Sequence, residues 1–166
     1  SERLLHGKPV SDEQIQAWAD EAERGYDLTK LAPPRPGRPS VGKGPGVAVT
    51  VRLDEQTLSA LMERAASEGI DSRSDAIRAA VREWTHVARL HASARKHFGR
   101  DRLTDESVLY AYEHALNSRP LDDEDDPRRW LVVGIDQSGR VLEMVVLVFD
   151  SGGELLIHAM KAVRNF

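Results

Sequence analysis

Residues 47–53 (VAVTVRL) alternate Val47, Val49, Val51 and Leu53 with Ala48, Thr50 and Arg52, which is the period of a strand with one buried face. The segments on either side carry no strand signal, so it stands alone. A lone strand cannot satisfy its own backbone N–H and C=O groups, and even an isolated pair is marginal in water. Two helices follow. Asp54 caps the first, whose Leu58, Leu61, Met62 and Ala65 share a face, and Gly69 ends it. Asp71 or Ser72 caps the second, with Ile77, Ala80, Val81 and Trp84 at i, i+3, i+4 and i+7. Two such faces exceed what ~40 residues bury unaided. A second copy supplying an antiparallel strand would let one ribbon and four helices share a core. The competing arrangement is an edge strand of another α/β core with Arg52 in solvent.

The succession of strand, helix, break at Gly69 and Ser-rich helix start across residues 46–84 resembles the ribbon-helix-helix family of repressors and antitoxins. The resemblance implies a homo-oligomer through paired strands 47–53, bound to operator DNA. It places Ala48, Thr50 and Arg52 in the major groove. There Arg52 can grip a guanine bidentately, worth ~1–3 kcal/mol of discrimination. Thr50 would bond a base edge or touch a thymine methyl. Ala48 is shorter than the polar residue often found at that position, which weakens base reading there. Ser72, Arg73 and Ser74 would offer backbone N–H groups and the helix dipole to a phosphate.

Upstream, Ser11 and Gln14 give a capping-box signal. The helix behind it carries Ile15, Trp18, Ala19 and Ala22 on one face and acids at Asp12, Glu13, Asp20, Glu21, Glu23 and Asp27. Residues 1–29 are expected as this helix, a candidate inhibitory segment anchored by Ile15, Trp18 and Tyr26. Residues 30–46 hold five prolines and four glycines and read as an extended linker. No acid falls between Asp27 and Asp54, whereas Lys30, Arg35, Arg38, Lys43 and Arg52 do. Beside the ribbon, Arg35, Arg38 and Lys43 are expected on backbone phosphates. The stretch PRPGRP resembles an AT-hook core, interrupted at Pro36; a plain linker is the alternative.

A net charge of -4 argues neither for a general nucleic-acid binder nor against a local basic patch. Absent cysteines exclude a disulfide framework and a thiolate metal site, and fit a reducing cytosol. No apolar run reaches the ~20 residues that span a bilayer, and SERLLHGKPV lacks a signal-peptide block. The expectation is a soluble cytoplasmic protein with no membrane partner.

Beyond the expected 47–87 module, residues 88–166 place helices first and strands after, an α+β order. HASARKHF is a short helix, Thr104 opens a longer one with Val108, Tyr112 and Ala115 as its stripe, and DDEDD (122–126) is a solvated loop. Three strands joined by QSG and SGG form an antiparallel β-meander. The fold class is therefore α+β: an N-terminal ribbon-helix-helix module followed by a small α+β domain.

Seven basic residues are the catalytic candidates. His91, Arg95, Lys96 and His97 lie on the short helix, and His158, Lys161 and Arg164 on or beyond the last strand. If helix and sheet pack, they converge. RNA cleavage without metal needs a base for the 2′-OH, an acid for the 5′-oxygen and cations for the phosphorane, and His, Lys and Arg provide all three. No His/carboxylate set has metal-ligand spacing, and no cofactor is indicated. His114 reads as structural, Arg140 as a turn residue, and Glu143 as an ion-pair partner or base.

ARKHFGRDRLTDESVLYA and the strand run from LVVGID to MKAVRNF resemble BrnT-type ribonuclease toxins over most of residues 89–166. The resemblance puts Lys96 and His97 at the family's Lys-His positions. It puts His158 and Met160 where a Ser and an Arg usually stand, leaving Lys161 or Arg164 to clamp phosphate. It implies a type II toxin–antitoxin unit in one chain. The antitoxin half would hold operator DNA and cover the toxin half, whose substrate is RNA. The alternative is a dimeric transcriptional regulator with a catalytically inactive sensing domain.

Overall fold

The computed structural model describes residues 3–39, 47–85 and 88–163. A hairpin of β1 (Leu4–Leu5) and β2 (Lys8–Pro9) leads into α1 (Asp12–Arg24). Ser11 starts α1 by accepting the Gln14 N–H, as the Ser-x-x-Gln spacing predicts. A 3-10 turn (Leu28–Lys30) and β3 (Arg35–Pro36) come next. Two helices follow, α2 (Glu55–Ser67) and α3 (Arg73–Thr85). Then come β4 (Ala88–Leu90), a 3-10 turn (Ala92–Arg95), α4 (Phe98–Asp101) and α5 (Asp105–Glu113). The last four strands are β5 (Ala115–Pro120), β6 (Arg129–Ile135), β7 (Val141–Val148) and β8 (Glu154–Lys161).

The described residues divide into two units. One holds 47–85; the other joins 3–39 to 88–163. The expected order, a ribbon-helix-helix module at the N-terminus and an α+β domain after it, is corrected accordingly. The module is inserted into the α+β unit, because the segment before it and the segment after it build one sheet.

That sheet has six strands in the order β3-β5-β6-β7-β8-β4. β5 to β8 form an antiparallel meander, β3 pairs antiparallel with β5, and β4 lies parallel to β8 with Ala88 opposite Glu154. Three strands were legible as a meander; β3, β4 and β5 add to it. α5 covers one face, setting Val108, Ala111 and Tyr112 on Trp130, Val132, Met144, Val146 and Leu156. α1 covers the other with Ile15 and Ala22 on Leu131, Val145, Leu147, Leu155 and Ile157. Burying Ile15 completely is worth ~1.5–3 kcal/mol. α5 approaches β6 so closely that a Cβ on Gly134 would lie 2.0 Å from the Ala111 carbonyl oxygen.

The expected linker is largely part of this unit. Gly37, with φ +74°, donates its N–H to the Leu116 carbonyl, and Pro39 is buried. DDEDD is a loop whose Asp123, Glu124 and Asp125 are exposed, as expected, and whose two ends are tied in. Asp122 accepts the Arg128 and Arg129 N–H groups, and Asp126 meets His6 and Arg128.

In the smaller unit, Asp54 caps α2 by accepting the Thr57 N–H, and Ser72 caps α3 by accepting the Asp75 N–H. Arg64 ties the two helices through both Glu83 oxygens at 2.9 Å. Ala65 and Ala76 are its buried apolar residues.

Candidate functional site

In the smaller unit, residues 47–53 are neither helical nor paired with any strand among the described residues. Val47 is 88% exposed and Val49 78%, and Val51 and Leu53 are also exposed. Ala48, Thr50 and Arg52, on the alternate positions, are exposed as well. Val81 and Trp84 add apolar surface at the end of α3. The unit therefore carries the alternating apolar residues of 47–53 and parts of two helices with almost nothing packed on them, which a second copy would bury. Ser72, Arg73 and Ser74 stand exposed at the start of α3. Lys43 lies outside the described residues.

Arg35 and Arg38 are placed differently from the expected DNA contacts. Arg35 stacks over the Trp130 ring at 5.2 Å and donates to the Glu124 carbonyl at 3.3 Å. Arg38 reaches into the α5 side of the sheet. Its Nη2 lies 2.8 Å from Glu154 Oε2, and its guanidinium sits 4.7 Å over the Tyr112 ring. Tyr112 in turn donates its hydroxyl to Glu154 Oε1 at 2.6 Å. Burial, then the neighbouring Glu154 charge, holds that phenol protonated well above its ordinary range. A guanidinium paired this way is not available to phosphate, so neither the AT-hook reading nor a phosphate role fits Arg38.

The other unit brings some of the basic candidates together. Ser93 N–H donates to His91 Nδ1 at 3.1 Å, which leaves Nε2 to carry the proton toward Asp12 Oδ1 at 3.3 Å. Arg95 forms a bidentate pair with Asp105, both bonds at 2.8 Å. Lys96 Nζ sits 2.6 Å from Glu23 Oε2, and His97 Nε2 3.5 Å from Glu23 Oε1. The rings of His97 and the buried His158 meet edge-on, 6.2 Å between centroids.

Lys96 and His97 thus meet on the carboxylate of Glu23, contributed by α1, with the His158 ring behind that of His97. The hydrogen bond from Lys96 does most to hold that carboxyl below its ordinary range, with the His97 and His158 charges adding to it. Glu23 raises Lys96 in return. On the same side, Arg129 bonds Glu21 at 2.8 Å and stacks on Trp18 at 4.9 Å.

Lys161, His91 and Arg95 stand apart from this cluster. His158 lies in register with Val145 on the α1 side, whereas Lys161 pairs with Leu142, whose side chain belongs to the α5 side. Strand alternation, reset by the irregularity between Val145 and Val146, separates the two. The Lys161 N–H donates to Asp101 Oδ2 at 3.1 Å. His91 and Arg95 have their own carboxylates, and Arg164 lies outside the described residues.

His114 caps α5, its Nδ1 2.9 Å from the Tyr110 carbonyl. Arg140 folds back on Asp136 at 2.8 Å within its turn. Sequence reasoning passed over Asp105 and Glu154 as partners; an acid near a basic cluster was the available signal for the first, and none existed for the second. Among the described residues no group of three or more His, Asp or Glu is arranged to hold a metal ion, and no helix is long and apolar enough to cross a membrane.

Neither the curated proteins nor the solved structures contain a match to this chain. Residues 47–85 match the family described as ribbon-helix-helix protein, copG family. The extended segment with its exposed apolar side, α2 and α3 are a ribbon-helix-helix domain, of the kind that dimerises and binds DNA.

Proposed function

We propose that the chain is a toxin–antitoxin unit in which a dimeric operator-binding module is inserted into a BrnT-like ribonuclease unit held silent by its own N-terminal segment. In this reading two chains pair residues 47–53, and Thr50 and Arg52 of each face the bases. The α+β unit cleaves RNA by internal transfer. The 2′-oxygen attacks phosphorus, the O2′–P bond forms and the P–O5′ bond breaks. One imidazole takes the 2′-OH proton, another protonates the departing 5′-oxygen, and Lys96 steadies the charged phosphorane. The products are a 2′,3′-cyclic phosphate and a 5′-hydroxyl. The setting is the cytoplasm, where operator and RNA are both present.

The observation that carries the reading is the position of Glu23, whose carboxylate lies between Lys96 and His97, the latter's ring meeting that of His158. An anion sits where this chemistry needs a phosphate. Because α1 is part of the same chain, it competes with RNA at high effective concentration.

Two measurements test it. A mobility shift on the chain's own upstream DNA is expected for wild type and weakened at least tenfold by Arg52→Ala, equivalent to ~1.4 kcal/mol. RNA cleavage is expected from full-length Glu23→Gln and not from wild type. The way residues 3–39 are built into the core favours a second reading, a regulator whose α+β unit is catalytically inert. DNA binding without cleavage by either protein selects it.

A further inference from the structure

β7 (VLEMVVLV) is apolar except for Glu143, which is 1% exposed. Such a strand has every packing reason to hold an aliphatic residue there, since taking a carboxylate out of water costs several kcal/mol before its partners repay it. Its place in the sheet suggests what the charge is for. Glu143 is in register with Val133 and Met160, two residue pairs along the ladder from Val145–His158. Val145 belongs to the α1-facing core, so Glu143 and His158 share that face as diagonal neighbours across β7 and β8. Diagonal pairs of long side chains are within reach of each other.

The charged and titratable groups meeting this face are Glu21, Glu23 and Tyr26 from α1 and the segment after it, Arg129 from β6, Lys96 and His97 from the 3-10 turn and its end, and His158 itself. Burial, with the Glu21 and Glu143 charges adding to it, holds the Tyr26 hydroxyl protonated.

The two histidines therefore have unlike surroundings. His97 follows a lysine in sequence and, with Glu23 displaced by substrate, faces cationic neighbours. His158 has a buried carboxylate diagonally across the ladder, two residue pairs away. Resting on the ribonuclease reading above, we propose that Glu143 is a positioning residue that holds His158 as the protonated imidazole, making His158 the acid for the departing 5′-oxygen and His97 the base for the 2′-OH. A carboxylate behind an imidazole fixes which nitrogen carries the proton and favours the imidazolium. A nearby ammonium disfavours a second positive charge at His97. The proton taken by His97 and the one given by His158 leave the pair exchanged, and water resets it when the cyclic phosphate departs.

The test uses the full chain. Imidazole NMR titration of wild type, Glu143→Gln and Glu143→Asp follows both histidines, with the thermal melt as a check on folding. Glu143→Gln should lower the His158 midpoint by about one pH unit, a tenfold change in proton affinity, and leave His97 within about 0.3. Glu143→Asp, which keeps the charge, should restore most of the difference. In the Glu23→Gln background, Glu143→Gln should lower kcat about tenfold with KM unchanged, and the limb of the pH profile set by the acid should move down with the His158 midpoint. An unmoved His158 midpoint in folded Glu143→Gln overturns the proposal alone. If Glu143→Gln does not fold, a His158 midpoint at or below that of His97 in Glu23→Gln overturns it equally. A moved midpoint with no RNA cleavage by Glu23→Gln overturns the ribonuclease reading instead.

Discussion

Replacing Arg38 with methionine tests whether the segment before the inserted module is a structural part of the α+β unit. The Arg38 side chain is 19% exposed and that of its partner Glu154 is 0% exposed. Methionine keeps much of the stem volume and removes the charge, so Glu154 retains only the Tyr112 hydroxyl inside the protein. Removing one member of a buried pair costs ~3–5 kcal/mol; the remaining exposure of Arg38 and the surviving Tyr112 bond argue for the low end, ~3 kcal/mol. For a unit of this size, ~3–5 °C is lost per kcal/mol, so the melting temperature should drop by ~10 °C. Adding Glu154→Gln removes the stranded charge, and the double variant should be more stable than the sum of the single losses by ~1–3 kcal/mol. Thermal melts by far-UV circular dichroism, with urea titration of all four proteins, measure this. A fall of under 2 °C for Arg38→Met, or strictly additive losses, would refute the buried-pair argument.

Gly134→Ala should be among the most damaging single-methyl changes, since the new Cβ meets a backbone carbonyl that cannot rotate away; a loss of ~3 kcal/mol or more is expected in urea titration. Val51→Asp places a charge on the apolar side of the strand, costing ~3 kcal/mol or more on pairing, so sedimentation should show monomer and operator affinity should fall over 100-fold. Acid should loosen the N-terminal hairpin. The Gly7 N–H, followed by that of His6, holds the Asp150 carboxyl below its usual range. A lowered folded value means the stabilisation is present above the unfolded value near 3.8 and is lost as pH falls through the folded value beneath it. Amide exchange of His6 and Gly7 between pH 5 and 3 should show this loss, and Asp150→Asn should abolish its pH dependence.

What could be read from the sequence divides by the range of the interaction that decides it. Helix starts at Ser11, Asp54 and Thr104 are set by a side chain meeting an N–H three residues on, so local spacing carries them. β6, β7 and β8 are apolar runs between tight turns and are legible for the same reason. β3 is not, because what makes Arg35 and Pro36 a strand is Ser118 and Asn117, more than eighty residues later. Nothing in a Pro-rich, basic stretch distinguishes a linker from an edge strand whose arginine has a buried glutamate waiting 116 residues away. The site divides in the same way. Lys96 and His97 are adjacent in sequence, so their company was legible. Whether His158 or Lys161 joins them depends on strand parity and on one irregularity in the β7–β8 ladder, which spacing alone does not reveal.

The lone strand is the informative exception, because its signal is a deficit. Residues 47–53 demand a partner that no other segment of the chain is patterned to supply, and in the structure their apolar side is bare. The same argument applied to the sheet gives the opposite result for α1. Its apolar stripe finds its match within the chain, on Leu131, Val145 and Ile157. Displacing α1 entirely would expose that whole face, at ~25 cal/mol for each Å² uncovered. Any uncovering of Lys96 and His97 is therefore expected to be local, at the Glu23 end of the helix, with Ile15 remaining seated. Hydrogen exchange on adding RNA should then rise at the C-terminal turn of α1 and stay low around Ile15; uniform exchange along α1 would mean that the helix leaves as a body.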